Sequence, residues 1–413
     1  EEIIVPVFSF TITLQEEQHM KKIRLSLFVV LLLSLAVPLG VMAQGPSTYT
    51  VGFQVANLDT SNDANIVINY YDQAGTVNTS IPDTVSMGDS NTYFPIHAAD
   101  GFNGSVVISS DREIAAIANI LGDGGSFGGA SYDSFSMGAE QSNIPLILRS
   151  YFGLYTWFNV QNTGTVDAVV TVTFNGTPTP TCTETKTIKP SAAATFDQAT
   201  STCLADGFIG AATVTTGASD QTVAVAVVQY NDTSLLSFNA FTTDGSTAPV
   251  MPLVSHGYYN SRTGIQIQNT GSSATDVTVS YTPSAGFPGA ACSETKTVAA
   301  GASGNFGDSP LFEDPSFPCG PMSGGASGFV GSAKVTANSA SQNLVAIVNS
   351  VTTGSPNQSA YSAFDASSAT SSVNLPLIMD RNYGIFTGFS IANVGTSATD
   401  VSCTFSNSAV TAS

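Results

Sequence analysis

One motif, repeated four times, limits what this chain can fold into. Residues 262–282 read RTGIQIQNTGSSATDVTVSYT, and related stretches occupy 155–175, 386–406 and, more faintly, 51–71. Each is centred on a turn asparagine: Asn57, Asn162, Asn269 and Asn393. Four and two residues before it stand apolar side chains, namely Phe53 and Val55, Phe158 and Val160, Ile265 and Ile267, Phe389 and Ile391. Polar or small residues mostly separate them, which is the period-two pattern of a half-buried strand. The Asn-Thr-Gly that follows supplies residues expected to tolerate the backbone angles of a tight turn. A second strand follows, with inward residues such as Val170, Val172 and Phe174, or Val277, Val279 and Tyr281. In the last copy the matching set is Val401, Cys403 and Phe405, so Cys403 is expected as a buried thiol in a strand.

The asparagines lie 105, 107 and 124 residues apart, a period long enough for each copy to own a core. Further landmarks keep a fixed order. A Pro-Leu strand start at Pro145, Pro252 and Pro376 stands seventeen residues before the turn asparagine, and a strand's first residue is where proline costs no ladder bond. Gly-Phe-x-Gly opens the second half of each copy at Gly101, Gly207 and Gly328. An almost continuous apolar run follows (Ile114–Ile120, Val223–Val228, Leu344–Val348), as expected of a strand covered on both faces. Seven or so short strands per copy predict an all-β chain of tandem immunoglobulin-like β-sandwich modules. The expected boundaries are 44–142, 143–249 and 250–373 for three complete modules and 374–413 for a truncated fourth. Short links such as Asp365–Ser372 are expected to be semi-flexible.

Ahead of the modules, Met20 begins a basic start (Lys21, Lys22, Arg24), an apolar core from Leu25 to about Leu39, and a small-residue cleavage site ending at Ala43. Residues 20–43 therefore read as a signal peptide for general secretory export, and 1–19 as a non-native leader from upstream of a bacterial gene's start. No membrane span is expected in the mature region. Removing the three basic residues of the signal leaves eight Lys and Arg against a formal net charge of -19 for the whole chain. That balance argues against nucleic acid as a partner and suits an acidic extracellular surface.

Cys182 and Cys203 share one module, and Cys292 and Cys319 the next. In a secreted chain, one pair per module reads as an intradomain disulfide, each closing a loop of roughly twenty to thirty residues for roughly 3 kcal/mol. No cofactor or metal is expected. Asp308, Glu313, Asp314, Asp59 and Asp63 offer oxygen ligands for calcium but lack the spacing of a calcium loop, so they read as solvated turn acids. His97 and His256 have no matched acid or nucleophile elbow in the sequence, which argues against a Ser-His-Asp site. Glu184 with Lys186, and Glu294 with Lys296, read as exposed ion pairs. Tyr155 and Trp157 could stack on a sugar, but the equivalent positions in other copies hold no aromatic pair, so edge packing is the simpler reading.

The order of Asn-x-Gly, Val-x-Val, Gly301-Ala302-Ser303, Gly-Phe-x-Gly and Val345-Ala346-Ile347-Val348-Asn349 resembles the cell-adhesion-related sandwich domain of bacteria and the tandem immunoglobulin-like modules of large bacterial secreted proteins. The resemblance covers about residues 48–413. It implies a secreted or cell-surface structural or adhesive protein without a catalytic residue, whose partner is a surface, a glycan or a protein, and whose modules neighbour one another. The alternatives are a carbohydrate-binding accessory region of a larger exported enzyme and a self-assembling envelope or filament subunit.

Overall fold

The computed structural model describes residues 45–405 except 47, 127, 243–244, 288, 309–316, 318, 320–327, 340, 353–357, 382–383 and 385. The expected leader, signal peptide and cleavage site, together with Glu313 and Asp314, lie outside the described residues.

The described chain is all β, with antiparallel sheets, none closed into a barrel. The first repeat contributes β1 (Tyr49–Asn57), β2 (Ala64–Asp72), β3 (Val77–Val85), β4 (Ser90–Tyr93), β5 (Gly104–Ser110), β6 (Ile114–Gly122) and β7 (Gly129–Asp133). They form one sheet ordered β4-β1-β6-β7 and another ordered β3-β2-β5. The second repeat adds β8 (Gln141–Arg149), β9 (Tyr155–Asn162), β10 (Ala168–Thr177), β11 (Thr181–Ile188), β12 (Ala193–Asp197), β13 (Phe208–Thr216), β14 (Val223–Tyr230) and β15 (Leu235–Asn239). Its sheets run β12-β9-β14-β15 and β11-β10-β13-β8. Alternation explains the layering, because Ala168, Val170, Val172 and Phe174 of β10 are buried while Val169 points out and is exposed. Phe158 stacks on Phe196 at 5.2 Å between ring centroids, and Phe174 joins them in the core between the sheets. Burying each such ring contributes roughly 1.5–3 kcal/mol.

The third repeat comprises β16 (Pro249–Tyr258), β17 (Ser261–Asn269), β18 (Thr275–Pro283), β19 (Cys292–Val298), β20 (Ser303–Gly307), β21 (Phe329–Ala337), β22 (Leu344–Thr352), β23 (Gln358–Ser362) and β24 (Phe364–Asp365). Here the two faces are joined. β16 pairs with β21 along its length and with β17 at His256 and Tyr258, so all nine strands belong to one folded-over sheet.

In the first two repeats the strands flanking the turn asparagine sit in opposite sheets, β1 and β2, and β9 and β10; in the third, β17 and β18 lie apart in the one folded-over sheet. The turn is therefore an arch from one layer to the other. The described residues of the fourth copy form no strand, and Phe386, Phe389, Ile391 and Val401 are exposed. Cys403, expected in a buried strand, is likewise exposed and outside any strand.

The repeats also pack laterally. Asn349 on β22 donates to Gln229 on β14 at 2.8 Å in a buried contact, and Ile347 of the third repeat belongs to the second repeat's core. Ile120 and Ala130 of the first repeat share an apolar cluster with Tyr155, Val228, Tyr230 and Leu235 of the second. The link at Asp365–Ser372 is partly ordered, with Asp365 capping a single helical turn through the Ser367 amide at 2.9 Å.

Candidate functional site

The turn asparagines act as clamps. Asn162 is fully buried; its amide donates to Val166 O at 2.7 Å and to Ile188 O, at the end of β11, at 2.9 Å, while its carbonyl accepts from the Gly164 amide at 2.9 Å. Asn269 repeats this with Ser273 O (2.8 Å), Val298 O (3.0 Å) and Gly271 N (3.0 Å). Asn57 does so with Asn62 O, Val85 O and Asp59 N. Asn393 retains the local half of the pattern, to Ser397 O and from Gly395 N. None of these asparagines, nor Gly164 or Gly271, has a positive φ. The residue is needed for its two-ended amide, which holds the arch to the end of the strand after it (β3, β11 or β19), rather than for turn backbone angles.

Disulfides join Cys182 to Cys203 and Cys292 to Cys319. Each ties the fourth strand of its repeat (β11 or β19) to the loop before the sixth (β13 or β21). On the same strands, Lys186 lies over the Phe196 ring at 4.4 Å and Lys296 over Phe306 at 5.0 Å. Lys296 also pairs with Glu294 at 3.0 Å, and Glu294 accepts from the Tyr281 hydroxyl at 2.6 Å and the Gly307 amide at 2.7 Å. Glu184, expected to pair with Lys186, instead accepts from the Ser201 hydroxyl while Lys186 donates to Thr195 O, so only the Glu294–Lys296 pair forms, and both lysine stems cover core aromatics.

One arrangement had no signal in the sequence. His256 has a matched acid after all: its Nδ1 lies 2.8 Å from Asp308 Oδ2, with Arg262 Nε 4.0 Å from the same oxygen. Both His256 and Asp308 are buried, and Phe317 packs on the imidazole at 4.4 Å. Fifty-two residues separate the partners, and only the β16–β17 pairing beside the β20 end brings them together. Enclosed this way, the cluster fixes a corner of the third repeat. Asp308 is thus a buried partner and not a solvated turn acid. Asp59 accepts from the Ser61 and Asn62 amides of its own turn at 2.8 and 3.1 Å, whereas Asp63 accepts from the Met87 amide at 3.0 Å and so ties the β1–β2 turn to the β3–β4 turn. Among the described residues, no three His, Cys, Asp or Glu side chains converge on a metal position.

A cleft of about 2250 Å³ enters the first repeat between its sheets, lined by Phe53, Phe102, Val106, Ile108, Ala116 and Ala118. Its far wall comes from the second repeat and includes Trp157 and Tyr230. Trp157 meets Tyr49 edge-on at 5.8 Å, and Tyr155, 8% exposed, stacks on Tyr230 at 5.7 Å. Tyr155 is therefore packed away, while Trp157 remains half-buried at the cleft. Burial raises the Tyr230 phenol above its ordinary pKa, so this hydroxyl stays protonated at physiological pH.

Compared with known proteins, the chain matches no protein-family description, no curated protein and no solved structure.

Proposed function

We infer that this chain is a secreted, non-catalytic bacterial surface protein whose immunoglobulin-like repeats serve a structural and adhesive role. The observation that carries this reading is the pair of disulfides at equivalent places in two successive all-β repeats. Disulfides persist in oxidising compartments, and here they brace repeats whose buried polar groups serve the fold. The low charge content and the net charge of -19 suit exposure to an aqueous exterior. Among the described residues no helix is long and apolar enough to cross a membrane.

Two measurements test the reading. Expressed in a bacterial host, the chain should be exported, acquire both disulfides and be digested by protease added to intact cells. Beads coated with the purified chain should then adhere to cells or a surface matrix. Retention in the cytoplasm with reduced cysteines, or turnover of a substrate by the purified chain, would refute it. The accessory carbohydrate-binding reading draws support from the half-buried Trp157 at the cleft wall. Glycan binding abolished by Trp157→Ala would favour it over a purely structural role.

A further inference from the structure

The first repeat differs from its neighbours in one way that the cleft exposes. In the second repeat the Gly-Phe-x-Gly strand β13 lies between β10 and β8, and in the third β21 lies between β18 and β16. In the first, β5 pairs with β2 alone, and its other edge carries no strand among the described residues. The consequence is visible side chain by side chain. Phe208, Ala212 and Val214, like Phe329, Ala333 and Val335, are buried, whereas Phe102, Val106 and Ile108 at the same places are only half-buried and line the cleft. An unpaired edge beside an open apolar core is what an added strand recognises.

The strand that fills this place elsewhere has a recognisable sequence and register. Ile144 stands opposite Ala212 and Ile147 opposite Gly210; in the third repeat Met251 stands opposite Ala333 and Val254 opposite Gly331. In both, the register shifts between these pairs, at the Pro-Leu step. A bulge there accommodates a residue that cannot donate to the ladder. The chain contains a further copy of this strand, Asn374-Leu375-Pro376-Leu377-Ile378, which matches Asn143-Ile144-Pro145-Leu146-Ile147. It forms no strand of its own, Leu375 is 48% exposed, and residues 373–377 line the same cleft as Val106 and Ile108.

We propose that Val373–Met379 closes the first repeat of its own chain by adding to the free edge of β5 as that repeat's missing first strand. By the register of the other repeats, Leu375 stands opposite Val106 and Ile378 opposite Gly104. The donor is already within reach, since Phe364 and residues 373–377 line the cleft that β5 opens onto.

The test uses the whole chain and a form beginning at Gln44, both with Cys403→Ser. Hydrogen exchange should show the outward-facing β5 amides protected in both forms, and Leu377→Asp should speed their exchange at least tenfold while leaving β13 unchanged. Oxidised Val106→Cys/Leu375→Cys protein should form an extra disulfide within a monomer. Several outcomes overturn the proposal: β5 exchange indifferent to Leu377→Asp, no crosslink, or a crosslink found only in dimers, which would assign the site to a second copy. Protection confined to the chain that keeps residues 1–43 would also do so, because Pro38-Leu39 carries the same Pro-Leu step.

Discussion

Replacing Asn162 by alanine should be among the most damaging single changes in the second repeat. It deletes three hydrogen bonds, to Val166 O, to Ile188 O and from Gly164 N, at a position with no solvent to replace them. At about 0.5–1.5 kcal/mol net per bond, the loss is roughly 3 kcal/mol. For a unit of this size that lowers the unfolding midpoint by roughly 10 °C or more. The single tryptophan, Trp157, stands on β9 of the same repeat, so its fluorescence during heating or urea titration reports this unit. Asn162→Asp is the more discriminating variant. A carboxylate there would face two carbonyl oxygens, so the folded state favours the protonated acid and raises its pKa above the unfolded value near ~3.9. A group raised on folding contributes stability that is complete below the unfolded pKa and is lost as pH rises through the folded one. The deficit of Asn162→Asp should accordingly be smaller at pH 4 than at pH 7, while that of Asn162→Ala should not follow this trend. An alanine variant within 0.5 kcal/mol of the parent, or an aspartate variant indifferent to pH, would refute the clamp.

Other expectations follow from the same geometry. Cys182→Ser with Cys203→Ser should cost roughly 3 kcal/mol for a loop of 21 residues, read as a lower urea midpoint in Trp157 fluorescence. His256→Ala removes the imidazole that the buried Asp308 carboxylate meets at 2.8 Å and should destabilise the third repeat by about 3 kcal/mol, measured by thermal circular dichroism. His256→Ala combined with Asp308→Ala should recover part of that loss; no recovery would show that the pair is not coupled. In the first repeat, the Tyr93 hydroxyl donates to Asp83 at 2.6 Å and is the main cause that holds this carboxyl below its ordinary pKa. Tyr93→Phe should raise the Asp83 pKa in an NMR titration. The stability that this bond contributes is present above the unfolded carboxylate pKa and lost as pH falls through the lower folded one.

The repeat, the all-β class and the inward faces of the strands were legible in the chain because period-two alternation is a local signal. Val170, Val172 and Phe174 could only be buried together, and the cysteines paired within one repeat because each pair closes a short loop. The turn asparagine was found for an incomplete reason: its importance lies in the Ile188 carbonyl twenty-six residues away, a contact no local pattern encodes. The same holds for His256 and Asp308, whose partnership exists only once β16, β17 and β20 are paired.

Sequence alone determined which residues alternate, where the chain must turn and which strands resemble one another, since those follow from side-chain chemistry over a few neighbouring residues. Tertiary structure decided which strand lies beside which. It placed the two arms of the first two arches in opposite sheets, left Cys403 outside any strand, packed the repeats side by side and opened the edge of β5. A strand's backbone donors and acceptors are the same in every copy, so whether an edge is filled depends on what else the folded chain brings to it.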